Sequence, residues 1–407
     1  FEASGRLVVR YAGQKVLDLD NHFLHHGIPQ RKLSAAIPHG GAYCPDNDCC
    51  RGGFTENVDY AGALLGLLAH PNIASKAGVV RIYDHEVQGG TVIKPLTGAA
   101  DDGPSDAAVL RPLGTAGPHA IVLSNGVNAE YGKRDAYRMA AGAIDEAIRN
   151  AVAVGADPDR IALLDNFCWG DPKRPETMGS LLEAGRACYE TSLLFQAPFI
   201  SGKDSLNNEY LATDGLRHAI PPTLVISALG QMGDLGLAVT MDLKRAGDVI
   251  YRVGRFDPRL GASHYRLVAP PLEDFDREAP PLSADTPQTY RALHRAMEKR
   301  LVQACHDLSE GGLAVAAAEM CIGGRLGMEI SVEGMLPLCY LFGETNGCLL
   351  AEVTPQDAQA FEAEFAGLDC MRVGLVRSDG LLVVRDGVRL LAELPVESLV
   401  LAWTRAE

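Results

Sequence analysis

The chain has 407 residues, more than one ordinary hydrophobic core needs, so we expect two domains or one large and one small domain. Its hydrophobic content of 47% and charged content of 22% are typical of a globular protein. The sequence has no run of about 18 apolar residues and no basic-then-apolar leader, so we expect a cytoplasmic protein with no membrane span. A formal net charge of -15 argues against a nucleic-acid groove, because phosphate neutralisation needs a basic face, so a bound nucleotide would need Mg²⁺ or a few local cations.

The first segment of the chain has an echo near its other end. "GRLVVRYAGQKVLDLDNHFL" (5–24) aligns with "GLLVVRDGVRLLAELPVESL" (380–399), and each predicts two strands around a glycine-bearing turn. A hairpin cannot form a core alone, and the same element would close two successive domains. We therefore interpret the chain as a piece of a larger duplicated protein, in which residues 1–36 are the tail of a preceding domain and a linker.

A linker-like stretch runs to about Gly53 and contains three cysteines, Cys44, Cys49 and Cys50, in "YCPDNDCC". A metal site there is conceivable, but no second C-x-x-C or H-x-x-x-H follows at zinc spacing, so their role stays open. The other cysteines lie mostly inside apolar runs, where cysteine behaves as a small buried hydrophobe in a reducing compartment.

Residues 37–245 alternate predicted strands and helices, which is the pattern of an α/β domain. Strands are expected at "AGVVRIYDHEV", "HAIVLS", "RIALLDNFCW" and "PPTLVISALGQM", and helices over 135–154 and 176–195. A further short strand is expected to end in the polar loop "ISGKDSLNNEY". The boundary to the next domain is expected between Leu243 and Gly247.

A second domain is expected over residues 246–407. Its predicted strands are "DVIYRVG", "MEISVEG", "GCLLAEV", "MRVGLV" and "LLVVRD". Its predicted helices cover about 287–304, 312–322 and 355–365.

Three oxygen-bearing side chains stand out in the first of these domains. Glu146 and Asn150 lie four residues apart on the helix "DAYRMAAGAIDEAIRNAVAVG", where the ordinary interpretation is a solvated polar face. The alternative is that both supply oxygen ligands to a hard cation. Asp106 leaves the turn "DGPS" directly into an apolar strand, and a turn or capping role is the competing interpretation there.

The segment "CHDLSEGGLAVAAAEM" is the most informative stretch in the second domain. Asp307 and Ser309 precede a helix whose free backbone N–H groups and positive dipole end face whatever these side chains contact. Ser309 as a plain N-cap is the competing interpretation, and both roles can hold together.

A last group of polar residues lies where two predicted strands end. Asp165 closes the strand "RIALLDNFCW", at a position where open α/β sheets hold ligands. In "ISGKDS", Gly202 permits close backbone approach and Lys203 can neutralise phosphate, although the P-loop spacing is absent. Asp204 and Ser205 can reach a metal or a hydroxyl. Together with the preceding residues, this group suggests a Mg-nucleotide site assembled from both domains.

Five segments together resemble the phosphoribosylformylglycinamidine synthase family. They are "LLDNFCWGDPKRPE", "PFISGKDSLNNEY", "DEAIRNAVAVGADP", "YDHEVQGGTVIKPLTGAADDGPSDAAVLRP" and "HDLSEGGLAVAAAEM". This family belongs to the aminoimidazole ribonucleotide synthase superfamily and has two tandem copies of an A-type plus B-type domain pair.

The resemblance implies an α/β (α+β) fold. Residues 37–245 would form a PurM-like A-type domain whose sheet pairs into a barrel, and residues 246–407 a B-type (PurM C-terminal-like) domain. The chain would then be the tail of the first B-type domain followed by the whole second pair. It would form a homodimer through the A-type domain or dock on the missing first half of the synthetase.

The resemblance also implies roles for the candidate residues. Mg²⁺ would be held by Asp106, Glu146, Asn150 and Asp307. ATP or ADP would contact Ser309, within a nucleotide-binding set of Ser105, Asp165, Gly202, Lys203, Asp204, Ser205 and Ser309. In shorter members of the family, which use some of these positions for nucleotide or substrate, a metal-binding asparagine stands where this chain has Lys203, so metal ligation is not carried over to that position.

The departures from the family pattern are as informative. The catalytic first copy of the family carries an E-S-H-N-H-P run with a general-base histidine, and this chain has "DHEVQG" (84–89) instead. His85 is therefore better interpreted as a structural histidine, and no catalytic residue is carried over. The substrate-binding E-S-Q is altered to Glu344-Thr345-Asn346, and no glutaminase nucleophile elbow is recognisable. We expect an auxiliary, structural nucleotide site in this half.

The function implied for the parent protein is a carbon-nitrogen ligase of purine biosynthesis with glutamine as amide donor. It would convert formylglycinamide ribonucleotide to the amidine with ATP, Mg²⁺ and ammonia from a glutaminase domain or subunit. This half would bind Mg-nucleotide and would not turn over alone. Two alternatives stay open: an independent ATP-using enzyme such as an aminoimidazole ribonucleotide synthase or a small-molecule kinase, and a non-catalytic scaffold.

Overall fold

The computed structural model of the chain describes residues 2–37, 58–269 and 278–404. Cys44, Cys49 and Cys50, and with them the question of a metal site in "YCPDNDCC", lie outside the described residues. Within the described ranges, no helix is both long and apolar enough to cross a membrane.

An antiparallel hairpin near the N-terminus consists of β1 (Arg6–Tyr11) and β2 (Gln14–Asp20) and leads into the short helix α1 (Asn21–His26). Ala12 and Gly13 form its turn with positive φ angles of 48° and 81°, the sign that a two-residue type I′ turn requires at both positions. The hairpin predicted from the sequence is confirmed.

A six-stranded sheet follows, and two long helices cover one of its faces. Its strands, in spatial order, are β3 (Thr91–Ile93), β6 (Ala107–Leu110), β7 (Ala120–Gly126), β12 (Thr223–Met232), β8 (Ile161–Cys168) and β9 (Phe199–Ser205). Neighbouring strands are antiparallel except for the parallel pair β8 and β9. The covering helices are α5 (Ala136–Ala153) and α6 (Pro175–Phe195). Shorter elements of this region are α2 (Tyr60–Leu68), α3 (Ala77–Val80), β4 (Leu96–Thr97), β5 (Gly103–Pro104), α4 (Ala129–Gly132), β10 (Glu209–Leu211) and β11 (Arg217–Ala219).

The two faces of this sheet differ in cover. Along β12 buried and half-buried residues alternate, as expected for a strand packed on helices on one side only. Gly126 lets α5 approach closely, because a Cβ at this position would lie 2.1 Å from the carbonyl oxygen of Ala143. On the other face Leu123 is 43% exposed. The sheet is open in the described part of the chain, so the barrel expected from the resemblance would need a second sheet.

A seven-stranded sheet forms the second half of the molecule. Its strands, in spatial order, are β14 (Ala304–Asp307), β16 (Leu349–Val353), β13 (Val249–Val253), β17 (Cys370–Arg377), β15 (Gly327–Val332), β18 (Leu381–Asp386) and β19 (Arg389–Pro395). The helices of this part are α7 (Tyr265–Val268), α8 (Thr286–Glu298), α9 (Gly312–Gly324), α10 (Pro337–Phe342), α11 (Ala358–Glu364) and α12 (Val396–Thr404). All five strands predicted here from the sequence are confirmed.

The hairpin β18–β19 repeats the N-terminal hairpin in detail. In both, the strand register shifts at the equivalent step, between Val9 and Arg10 and between Val384 and Arg385. In both, a helix follows the second strand. Their surroundings differ, because β18 pairs in parallel with β15 and is buried, whereas β1 is exposed along its length. The structure therefore supports the internal repeat.

Two predicted elements are wrong and one is shorter than expected. "AGVVRIYDHEV" is the single-turn helix α3 followed by bends, since its apolar side chains have no sheet to pack on and Ile82 is 76% exposed. "ISGKDS" is not a loop but the exposed edge strand β9, whose backbone pairs with β8. The helix expected over 287–304 ends at Glu298, because Arg300 has a left-handed φ of 58° and β14 begins at Ala304.

The two halves of the molecule meet closely around α5 and α9. One hydrophobic core joins α5 to α8 and α11 across the junction. The β4–β5 hairpin packs on the end of α9, where a Cβ on Gly98 would lie 2.3 Å from the carbonyl oxygen of Gly323. The buried Glu352 accepts hydrogen bonds of 2.8 Å and 2.9 Å from the backbone N–H groups of Lys244 and Arg245, in the connection between the sheets. The domain boundaries themselves stay a prediction.

Candidate functional site

A cavity of about 150 Å³ lies at the junction of the two halves. Its wall is built by the start of β6, the middle of α5, and the turn between β14 and α9. Six of the residues predicted from the sequence line it: Ser105, Asp106, Glu146, Asn150, Asp307 and Ser309. Residues separated by up to about 200 positions in the chain thus come together at one small site. The binding roles assigned to them stay predictions.

Among the residues that the structure describes, two of the four predicted metal ligands present a buried oxygen without a hydrogen-bond partner. The Asp106 Oδ1 accepts hydrogen bonds of 3.0 Å from the backbone N–H of Asp307 and from His306 Nδ1, while its Oδ2 has none. The Asn150 Nδ2 donates to the carbonyl of Asn125 at 3.1 Å, while its Oδ1 has none. A buried oxygen without a donor is costly, so both atoms fit a ligand that binds in the cavity.

The other two predicted ligands follow the same arrangement. The Glu146 Oε2 accepts a hydrogen bond of 2.8 Å from the backbone N–H of Val127. The Asp307 Oδ2 accepts from Arg149 Nε and Nη2, at 3.2 Å and 3.1 Å, and from the Ser309 hydroxyl. The second oxygen of each carboxylate makes no hydrogen bond within the described ranges. Each ligand therefore has one polar atom held by the protein, an oxygen in the three carboxylates and Nδ2 in Asn150, and one free oxygen. This donor set of three carboxylates and an amide suits a hard cation such as Mg²⁺.

Buried acidic side chains lie close to one another around the cavity. Burial, followed by the carboxylates of Glu310 and Asp307, raises the pKa of Glu146 well above its usual value. Burial also raises the pKa of Glu310 to about 7, and this carboxylate, which the sequence had not suggested, lines the cavity as well. A cation bound among these acids would relieve their mutual repulsion.

His306 lines the same cavity and was not predicted as a site residue. Its Nδ1 lies 3.0 Å from Asp106 Oδ1 and its Nε2 lies 3.0 Å from Glu319 Oε2. Burial lowers the pKa of His306, but the two carboxylates outweigh it, so that the pKa is well above the usual value. One potential ligand atom each of Asp106, His306 and Asp307 lies within 4.8 Å of the other two. Both ring nitrogens of His306 already contact carboxylates. We therefore interpret His306 as a residue that orients the Asp106 carboxylate and not as a metal ligand.

Arg149 is a third residue of this region, after Glu310 and His306, that the sequence did not reveal. It lies on α5 between Glu146 and Asn150 and is 2% exposed. Its guanidinium contacts Asp145 on one side and Asp307 with Ser309 on the other. A charged residue inside an alanine-rich buried stripe was the only signal of it in the sequence.

The remaining predicted residues lie elsewhere, on the parallel pair β8 and β9. The backbone N–H of Lys203 donates to Asp165 Oδ1 at 3.2 Å, and the Lys203 ammonium contacts the Ser205 hydroxyl. Gly202 faces the same carboxylate, since a Cβ there would lie 2.3 Å from Asp165 Oδ1. Asp204 lies on the same exposed strand. None of these five residues lines the cavity, so the predicted nucleotide set divides into two groups.

Glu344, the first residue of the altered E-S-Q, is a structural anchor. It is fully buried, and its Oε1 accepts from the backbone N–H groups of His264 and Gly311 at 2.7 Å and 2.9 Å. His264 Nδ1 lies 2.9 Å from the same oxygen. Burial lowers the pKa of His264, but Glu344 outweighs it and the pKa is about 9. The pair fixes the start of α9, and with it Ser309.

A larger cavity of about 800 Å³ lies between the start of α5 and α6. Two pairs of polar side chains in its wall contact each other: Arg186 donates to Glu183 at 2.5 Å, and the Tyr137 hydroxyl donates to Glu190 at 2.5 Å. None of the predicted site residues lines it. We therefore place the candidate site in the smaller cavity, where free oxygens converge.

Two protein families match successive parts of the chain. Residues 104–232 match the AIR synthase related protein N-terminal domain, and residues 245–387 match the AIR synthase related protein C-terminal domain. Together the matches cover well over half of the chain.

Curated relatives extend the similarity over nearly the whole chain. The phosphoribosylformylglycinamidine synthase subunit PurL of Thermococcus sibiricus is 34% identical over 323 residues, which are 76% of this chain and 42% of that protein. The PurL subunit of Methanothrix thermoacetophila is 31% identical over 98% of this chain and 50% of that protein. That of Thermosynechococcus vestitus is 38% identical over 74% of this chain and 40% of that protein. The chain spans about half the length of these relatives.

Solved structures share the fold. PurL of Thermotoga maritima complexed with FGAR superposes with a TM-score of 0.63 over 85% of this chain and 54% of that chain, at 17% identity. The same protein complexed with ADP gives a TM-score of 0.59 over 83% of this chain and 51% of that chain, at 18% identity. The PurLQS structure from Thermotoga maritima gives 0.60 over 78% and 48%, at 18% identity. At these identities the likeness establishes the PurM-like fold.

Proposed function

Because the chain belongs to the family of AIR synthase related proteins and is a homologue of phosphoribosylformylglycinamidine synthase subunits, we propose that it is part of an ATP-dependent synthetase of purine biosynthesis. The parent enzyme would convert formylglycinamide ribonucleotide to formylglycinamidine ribonucleotide. In that reaction ATP phosphorylates the formyl amide oxygen, and ammonia supplied from glutamine then displaces phosphate. The proposal depends chiefly on one observation, the four ligands that each present a free oxygen to one cavity.

Within this chain the cavity would hold Mg²⁺ with a nucleotide. The cation would be bound by Asp106, Glu146, Asn150 and Asp307, and it would neutralise phosphate charge. The Ser309 hydroxyl and the start of α9 would face the phosphates, and the helix dipole there favours an anion. The fixed contacts behind each ligand keep the free oxygens pointed into the cavity without the cation.

We infer that this nucleotide site is auxiliary and structural. The segment 84–89 lacks the family's histidine run, and one oxygen of Glu344, Oε1, is engaged in the anchoring contacts described above. Bound Mg-ADP would then stabilise the folded state by mass action rather than react. The chain would complete the active site of the missing first half, and a glutaminase domain or subunit would supply ammonia.

A second group of predicted residues fits the role of completing the active site of the missing first half: Asp165, Gly202, Lys203, Asp204 and Ser205. Gly202, Lys203, Asp204 and Ser205 lie on the exposed edge strand β9 of the open sheet, and Asp165 lies on the neighbouring strand β8. A second A-type sheet would pair at this edge and bring a substrate with it. This edge would form part of the wall of the parent active site.

The proposal is tested by two assays on the purified chain. After any bound nucleotide has been removed with EDTA, calorimetric titration with Mg-ADP is expected to show binding at about one per chain, which Asp106→Asn with Asp307→Asn abolishes. With substrate, ATP and ammonia the chain alone is expected to make no amidine. Turnover at a normal rate would instead support an independent ATP-using enzyme. No binding of Mg-ADP would favour the scaffold.

A further inference from the structure

We propose that Arg149 is a positioning residue of this site, which orients Asp307 and Ser309 across the junction of the two halves. The inference rests on the function proposed above, because it concerns the same cation and nucleotide. Arg149 would touch neither of them. It would act by fixing one oxygen of Asp307 and the hydroxyl of Ser309, so that the other Asp307 oxygen stays in the cavity.

The contacts on the site side support this role. Arg149 Nε and Nη2 donate to the same atom, Asp307 Oδ2, at 3.2 Å and 3.1 Å. Arg149 Nη2 also donates to Ser309 Oγ at 2.8 Å. Two N–H groups on one oxygen define the rotation of that carboxylate more tightly than a single donor would. The oxygen directed away from Arg149 is the one available to a cation.

The contacts on the opposite side keep the guanidinium itself in place. Arg149 Nη1 pairs with Asp145, one turn earlier on α5, and Asp145 is fully buried. Asp145 is held in turn by the Tyr290 hydroxyl at 2.5 Å and by the backbone N–H of Gly347 at 2.9 Å. Tyr290 and Gly347 belong to the second half of the molecule. On the side away from the cavity, the guanidinium is therefore fixed by groups that do not line it.

Charge and shape make arginine specific for this position. Arg149 is 2% exposed, so it lacks solvent to replace any lost contact. Three of its nitrogens are used toward three different side chains. A lysine ammonium keeps the charge but presents a point donor instead of a planar fork, so it cannot hold Asp145, Asp307 and Ser309 at once. Arg149→Lys should therefore loosen Asp307 without removing the positive charge.

The test compares Arg149→Lys and Arg149→Met with the matched control Arg252→Met. Arg252 is also a buried arginine, 8% exposed, but it stacks on Phe256 in the second half and contacts no residue of the cavity. Mg-ADP affinity is measured by calorimetry, Mn²⁺ alone by electron paramagnetic resonance, and the ligand-free melting temperature by calorimetric scanning.

We expect Arg149→Lys to fold, and to weaken both Mg-ADP and Mn²⁺ at least tenfold, while Arg252→Met stays within twofold of the unchanged chain. A purely structural arginine would lower the melting temperature and leave both dissociation constants within twofold, which would overturn the inference. If the unchanged chain binds Mn²⁺ in an Arg149-dependent way but no ADP, the proposed function fails and the inference stands. If it binds neither, both are overturned.

Discussion

At the scale of single residues, each predicted ligand divides its two polar atoms between the protein and the cavity. The residue patterns singled out Asp106, Glu146, Asn150 and Asp307, but it was the family resemblance that grouped them as one predicted ligand set. It could not reveal Arg149 or His306, because their contacts join residues 158 and 200 positions apart. Helix periodicity predicts which face a residue occupies but not which distant chain segment meets that face.

Glu146→Gln is expected to stabilise the ligand-free chain and to weaken its binding of Mg-ADP. Burial raises the pKa of Glu146, so a neutral isostere removes a desolvation cost, and we expect a gain of about 1 kcal/mol at pH 8. Mg-ADP affinity should fall at least tenfold, about 1.4 kcal/mol. Thermal melting with and without Mg-ADP measures both effects. The control Glu393→Gln, exposed on β19, should change neither; a Glu146→Gln chain that is less stable than the unchanged chain would contradict the prediction.

The pair of His264 and Glu344 predicts a pH dependence of stability. The folded pKa of His264 is about 9, above the unfolded value near 6.5, so the folded state binds the proton more tightly. The stabilisation is complete below pH 6.5 and is lost as the pH rises through 9, with an upper limit of about 3 kcal/mol. Melting temperatures between pH 6.5 and 9.5 should fall, and His264→Gln should flatten this part of the curve. If the melting temperature of His264→Gln falls with pH as steeply as that of the unchanged chain, other titrating groups cause the loss of stability.

At the scale of elements, long periodic segments were predicted well and short apolar segments were not. α5, α6 and β12 follow from their patterns, because each buries one continuous face. The short apolar run that becomes α3 could equally be a strand, and only the absence of a neighbouring strand decides it. The side chains of β9 are polar and show no strand pattern, so the sequence predicts a loop there. The segment is a strand because its backbone pairs with β8, and side-chain patterns do not reveal this pairing.

The conformation of β9 can be tested with two glycines. A methyl group at Gly202 would meet Asp165 Oδ1, so Asp165 would have to rotate away and lose its hydrogen bond from the Lys203 N–H, and Gly202→Ala should cost about 0.5–1 kcal/mol. Gly185 lies on α6 with nothing within 4 Å of the added atom, and Gly185→Ala should stabilise by about 0.5–1 kcal/mol through helix propensity. Chemical denaturation of both variants gives the comparison. Equal effects of the two substitutions would mean that Asp165 does not lie over Gly202.

At the scale of the whole molecule, the two hairpins show one sequence pattern in two environments. Val384 is 3% exposed on β18, whereas its counterpart Val9 is 45% exposed on β1. The repeat was visible in the sequence, but its burial depends on whether a neighbour such as β15 is present. A B-type domain docked on β1 would bury it in the same way, and this is the partner that we propose.

Alanine substitutions at Val384 and at its counterpart Val9 measure the difference in burial between the two hairpins. Val384→Ala should cost about 2 kcal/mol, because it leaves a cavity in a packed core. Val9→Ala should cost less than about 0.5 kcal/mol in this chain, as expected for a solvent-exposed position. When a first synthetase half is supplied, Val9→Ala should weaken the association, while Val384→Ala should not. A large cost of Val9→Ala in this chain alone would show that the hairpin is already packed.

The central claim is that the cavity between the two sheets binds Mg-nucleotide. The most direct measurement is native mass spectrometry of the freshly purified chain, with the released ligand identified after denaturation, before and after EDTA. We expect ADP or ATP at about one per chain, lost together with Mg²⁺, and a lower melting temperature after removal. A chain that carries no nucleotide, takes up none with Mg²⁺ and melts at the same temperature in EDTA would contradict it.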